Sequence, residues 1–228
     1  MKNLFLCFVL LTSCLAFTQD LVPYTLTKET YFKHENRSKE TKYKKAKFVL
    51  REFIGKDSVI KQEFIDLKND KILTKEFFKN GIPVRVWTGY NELGKVNQAR
   101  DFSKVKYIDA IEGSDIWKNI KTYVTDSLGD FKQPLYGESE QEVYQFIANS
   151  IKYPKEAVER KIAGRVFIRI YIDKEGNVQP HSIEKGCHPY LDYEAWEVIE
   201  KLSKWKPAEY RGKAVDFIYV MPISFTLR

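Results

Sequence analysis

The 228 residues include only three cysteines and three histidines, the side chains best suited to nucleophilic and zinc chemistry. Cys187 precedes His188, and a thiol beside an imidazole is the raw material of an activated nucleophile. Adjacent residues in a turn rarely aim both groups at one substrate, and Pro189 follows directly. The expectation is a half-buried small residue in a turn, not a catalytic pair. His34 and His181 are the other histidines, and with no CxxC they leave zinc short of ligands. No GxSxG, GxGxxG, HExxH or GxxxxGKS/T motif occurs. Asp192, Glu194 and Glu197 fall along one helix, where they should be solvated. No catalytic residue, metal or cofactor is expected, and the chain does not read as an enzyme.

A second kind of chemistry needs only main chain. Val215 to Leu227 reads as a long apolar, aromatic final strand interrupted at Pro222. Proline has no N–H to donate, so it belongs on an edge or where pairing stops. Such an edge offers unpaired N–H and C=O groups to an extended peptide. The expected contact residues are Val215, Phe217, Ile218, Tyr219, Val220, Ile223 and Phe225, with Phe217, Tyr219, Trp205 and Tyr153 as side-chain anchors unless they pack inward. Five or six strand hydrogen bonds give roughly 3–9 kcal/mol. Association costs on the order of 4–15 kcal/mol, so side-chain pockets must supply the surplus. An open edge can also pair with itself, which would give a homodimer.

The elements that position this strand read as a small α+β layer, one antiparallel sheet with helices on one face. Ser139 and Glu142 form a capping-box pattern before Val143, Phe146, Ile147 and Ile151 at helical spacing. Pro154 can open a second helix to Ile162. Val166, Ile168, Ile170 and Ile172 alternate as the inward face of a strand. A turn at 173–177 leads to a return strand, which Pro180 makes the less regular partner. Asp192 then caps a helix carrying Ala195, Val198, Ile199, Leu202 and Trp205.

The first half reads differently. Residues 41–90 are rich in Phe, Tyr, Ile, Val and Thr and are punctuated at Gly55, Asn69-Asp70, Asn80-Gly81 and Leu93-Gly94. Asn80-Gly81 between apolar runs is the strongest hairpin signal. Units of one strand and one turn recur, and they resemble a degenerate MORN-type repeat, implying an antiparallel meander. Residues 111–136 join the halves, with a short helix expected at Asp115–Leu128.

Charge follows the same division. Residues 20–110 carry 20 basic and 13 acidic side chains, and 111–228 carry 17 and 18. Lys42, Lys44, Lys45 and Lys47 alternate with Tyr43, Ala46 and Phe48 as on a strand. Basic residues interleaved with aromatics could contact nucleic acid. The start of the chain argues for export, so no nucleic acid is expected. Lysines blunting a strand edge or facing an anionic envelope surface remain. Met1-Lys2-Asn3 followed by an apolar run from Leu4 to Leu11 has the pattern of a secretory signal. Cleavage after Thr18 would free Gln19. Leu11-Thr12-Ser13-Cys14 also resembles a lipobox, which would leave Cys14 lipidated. After the first cut only Cys187 remains, so no internal disulfide is expected. The expected segments are a signal over 1–18, a hairpin region over 19–110, a join over 111–132 and an α+β domain over 133–228. The expected location is the periplasm or the outer-membrane face.

From Gln133 to Arg228 the sequence resembles the C-terminal domain of TonB-type energy transducers. The resemblance rests on Tyr153-Pro154, Gly164 to Ile168, Ile172 to Val178, Gly186 to Asp192, Trp205-Lys206-Pro207, Arg211-Gly212-Lys213 and Met221 to Phe225, in order and at fitting spacings. It implies a periplasmic module that binds a short segment of an outer-membrane receptor by strand addition to Val215–Leu227, with Tyr153 and Pro154 also touching the partner. A transducer of that family has an uncleaved membrane helix and a Pro-rich spacer. Here a signal segment and hairpins stand in their place, so the binding fold is what the resemblance carries over.

Overall fold

The computed structural model describes residues 23–108 and 130–227. The expected signal segment, Cys14 and the expected helix at Asp115–Leu128 lie outside them. Two compact units divide at Lys104 and Val105.

The first unit is a meander. Strands β1 (Tyr24–Phe32), β2 (Phe48–Gly55), β3 (Ile60–Asp66), β4 (Lys71–Lys79), β5 (Ile82–Pro83), β6 (Val86–Tyr90) and β7 (Val96–Asp101) make one antiparallel sheet in the order β1-β2-β3-β4-β6-β7, with β5 beside β4. Asn80 and Gly81 both take positive φ, at 52° and 79°, as the tight turn after β4 requires. Phe64, Val49, Phe77 and Trp87 are buried. Arg37 lies over the Phe64 ring and bonds Glu76 at 3.0 Å, with both charged groups almost wholly buried. β1 is an edge strand, mostly exposed, with a bulge between Leu26 and Lys28. The expected alternation at Lys42–Phe48 is corrected. Tyr43–Lys45 is a 3-10 turn, and the strand begins only at Phe48. Four lysines within six residues have no opposing surface to bury against, so Lys42, Lys44, Lys45 and Lys47 are all exposed.

The second unit has the expected layer. Helices α1 (Glu140–Ser150), α2 (Lys155–Glu159) and α3 (Pro189–Ile199) accompany a sheet of β9 (Gly164–Ile172), β10 (Val178–Lys185) and β13 (Phe217–Phe225), in the order β10-β9-β13. Val166, Ile168, Ile170 and Ile172 are fully buried, as their alternation predicts. A second small sheet, absent from the sequence reading, joins β8 (Phe131–Lys132), β11 (Ala208–Tyr210) and β12 (Lys213–Val215).

Two boundaries and one cap differ from expectation. α3 starts at Pro189 under a His188 cap, because the His188 ring accepts the Tyr190 N–H. Asp192 therefore sits inside the first turn and does not cap it. α3 also ends at Ile199, so Leu202 and Trp205 are buried in the coil that follows. The Ser139 side chain makes no cap bond, and Glu142 reaches back to the Glu138 N–H.

Candidate functional site

The site is built on β13. Val215 is not part of it. Asp216 accepts a hydrogen bond from the Lys174 N–H at 2.9 Å, and this anchored residue separates β12 from β13. The strand then runs unbroken from Phe217 through Pro222 to Phe225, paired with β9 along its whole length. Among the described residues no strand or isolated bridge pairs with its other side.

The direction of each main-chain group follows from the neighbours. The Ile183 N–H donates to the Lys106 carbonyl at 2.7 Å, so Ile183 points away from β9. Opposed residues of an antiparallel ladder exchange both hydrogen bonds or neither. Ile168, opposite Ile183, must therefore turn toward β13, where it faces Met221. Met221 is thus bonded inward, and alternation turns Ile218, Val220, Pro222 and Ser224 outward. The Asp173 N–H, bonded to the Asn177 carbonyl at 3.0 Å, fits the same phase. The open edge offers three N–H groups, from Ile218, Val220 and Ser224, and four carbonyls. Pro222 leaves a gap in the donor row. Pro180, opposite Ile170, likewise turns its nitrogen outward.

The expected contact residues therefore divide. Ile218 and Val220 carry outward main chain and sit on the face away from the helices, with Val220 exposed. Phe217 and Tyr219 point to the helix face and are half-buried. Ile223 and Phe225 are buried, and their main chain is engaged with β9, so neither offers a group at the edge. Tyr153 packs edge-on against Phe225 and donates to the Ile162 carbonyl at 2.6 Å. Pro154 is buried and caps α2. Both serve the core of the domain, because Tyr153 fills the end of the sheet where Phe225 finishes it.

Beside the edge on the helix face lies a small pocket that sequence reading missed. Pro134, Tyr136, Tyr144, Trp205 and Tyr219 line it, with Glu140 among the surrounding residues. The Tyr136 ring meets Trp205 edge-on at 5.7 Å, and Trp205 meets Tyr219 at 6.3 Å. Tyr219 shares a hydrogen bond with Tyr144, and burial together with that bond pushes its hydroxyl up to about 12. The buried Trp205 indole N–H has no acceptor among the described residues. Residues drawn from four segments make this pocket, so no single stretch signals it.

Cys187 is exposed, where a half-buried residue was expected. Partial burial of its thiol and the neighbouring Asp192 raise it to about 11, and the His188 ring accepts the Tyr190 N–H, so neither group is set up as the activated half of a nucleophilic pair. Asp192 corrects the expectation of a solvated carboxylate. It is 3% exposed, and burial raises it to about 6 even though it accepts from the Cys187 N–H and from Tyr107. Gly186 lies so close to this carboxylate that a Cβ there would collide with it. Among the described residues no group of His, Cys, Asp and Glu could hold a metal ion, and no helix is long and apolar enough to cross a membrane.

Residues 149–227 match the family model described as Gram-negative bacterial TonB protein C-terminal. The C-terminal domain is of the TonB C-terminal type. The match covers α2, α3 and the whole β10-β9-β13 sheet, and it begins within α1. It likens this part of the chain to the C-terminal domain of TonB-like envelope proteins. No curated protein and no solved structure matches the chain significantly.

Proposed function

We propose that the TonB-type domain captures an extended segment of a partner protein by adding it as a fourth strand along β13. The partner is an outer-membrane receptor of TonB-dependent transport, and the chain is exported to the periplasm or the outer-membrane face. The observation that carries this reading is the nine-residue outer edge of β13, beside which no strand lies among the described residues, in a domain that matches the TonB C-terminal family. Strand addition draws affinity from main-chain bonds and selectivity from the pockets beside them. The test is an NMR titration of the chain with extended outer-membrane receptor segments. The amides of Ile218, Val220 and Ser224 should shift first. Binding that leaves all three unperturbed would overturn the reading.

A second role for the first unit rests on the exposed Lys42, Lys44, Lys45 and Lys47. These attract an anionic envelope surface at about 1 kcal/mol per lysine. Sedimentation with anionic phospholipid vesicles checks it: binding should weaken with added salt and fall when all four are changed to Gln. Salt-independent binding would dismiss it.

A further inference from the structure

The free edge is not uniform. Its donors at Ile218 and Val220 are consecutive, and Pro222 interrupts the row before Ser224 is reached. A guest strand is therefore held most evenly across Ile218–Val220, where two N–H groups and two carbonyls bracket Tyr219. In an antiparallel ladder the guest residue opposite Tyr219 belongs to a non-bonded pair, the kind with the closer approach of side chains. Its side chain projects to the same face as Tyr219, which is the face carrying the aromatic pocket.

That pocket has a definite chemistry. Its walls are the electron-rich rings of Tyr136, Tyr144, Trp205 and Tyr219. Tyr144 is 46% exposed, so a guest can reach its ring. Glu140 stands beside the rings in the first turn of α1 and is exposed, with no ion pair or hydrogen bond among the described residues. Its neighbours differ: Glu138 is held by Lys206 at 2.7 Å, and Glu142 accepts the Glu138 N–H. Trp205 is 6% exposed, and its indole donor is unmet. The enclosed space is only about 20 Å³, so no bulky guest side chain enters it whole. A long flexible chain lying across the rings, with a positive head at Glu140, fits both shape and charge.

Resting on the strand-addition reading, we infer that Tyr136, Tyr144, Trp205, Tyr219 and Glu140 form a side-chain pocket selecting a lysine or arginine of the guest at the position opposite Tyr219. The partner class is thus an extended segment with one basic residue between two apolar ones. The apolar pair hydrogen-bonds Ile218 and Val220 and rests on their side chains.

Calorimetry of the full chain tests this with three peptides, Ac-Thr-Val-Lys-Val-Thr-amide and its counterparts with norleucine or glutamate at the centre. The lysine peptide should bind roughly 3–5-fold tighter than the norleucine peptide. Glu140→Gln should weaken that preference, leaving only the part due to the rings, and Glu140→Lys should shift it toward the glutamate peptide. Val220→Pro removes one outward donor without touching the β9 ladder, so it should keep the fold and weaken all three peptides. Equal binding of the three peptides, lost in Val220→Pro, would leave the edge reading standing and overturn the pocket. Binding unchanged by Val220→Pro, or no binding at all, would overturn both.

Discussion

Asp192 shows how one residue can be visible in a sequence while its environment is not. Its position near the start of a helix is legible, but its neighbours Tyr107 and Gly186 come from separate segments, and their approach is what buries it. A carboxyl raised from 3.8 to about 6 binds its proton more tightly folded than unfolded. The stability tied to that proton is fully present below the unfolded value and is lost as pH rises through about 6. The difference corresponds to roughly 3 kcal/mol. Urea unfolding at pH 4 and pH 7 should show the wild type losing up to about that much more than Asp192→Asn. Parallel losses in the two proteins would contradict the assignment. Gly186→Ala should lower stability at both pH values, because the added methyl meets the Asp192 carboxylate. The thiol next door gives a simpler check. With Cys187 raised to about 11, its alkylation at pH 8 should be slower than that of free cysteine by at least about tenfold. Equal rates would restore it as a candidate nucleophile.

At the level of elements, β9 was readable in full because a strand buried on one face must alternate, and its four branched residues do. The ends of α3 were not, because Leu202 and Trp205 keep helical spacing while packing from coil. The aromatic pocket escaped for a similar reason: the order of residues cannot reveal which four segments converge. β13 was readable as apolar and edge-like, but its split from β12 depends on Asp216 anchoring the Lys174 amide across 42 residues of chain. Within β13, Pro222 is the informative residue. Pro222→Val would restore one outward donor worth about 0.5–1.5 kcal/mol in a hydrogen bond. The expected result is a peptide affinity up to roughly tenfold higher in calorimetry, together with more dimer in ultracentrifugation at high protein concentration. Neither change would mean that the nitrogen of Pro222 faces β9. Ile170→Ala, at a fully buried position of the central strand, should cost about 2–5 kcal/mol in urea unfolding.

For the molecule as a whole, the chain carries two units with different logic. One is a meander whose polar interior is neutralised by pairs such as Arg37 and Glu76, and the other is a layered domain with an open flank. Arg37→Ala would remove the salt-bridge partner of the buried Glu76 carboxylate and leave it to its remaining hydrogen bonds, so it should destabilise the meander by up to about 3–5 kcal/mol, read by urea unfolding. The same variant should bind the lysine peptide as tightly as wild type while folded, and a large loss of affinity would show that the meander contributes to capture. Among the described residues the meander also leaves the outer side of β1 without a partner strand, nine residues long and mostly exposed. Lys28 sits at its centre with a side chain 63% exposed, just past the bulge. A second copy docking symmetrically about that midpoint would set lysine against lysine on a strand already out of register. The consequence is resistance to runaway stacking into fibres, which lets the protein carry long stretches of aromatic β sequence at high concentration.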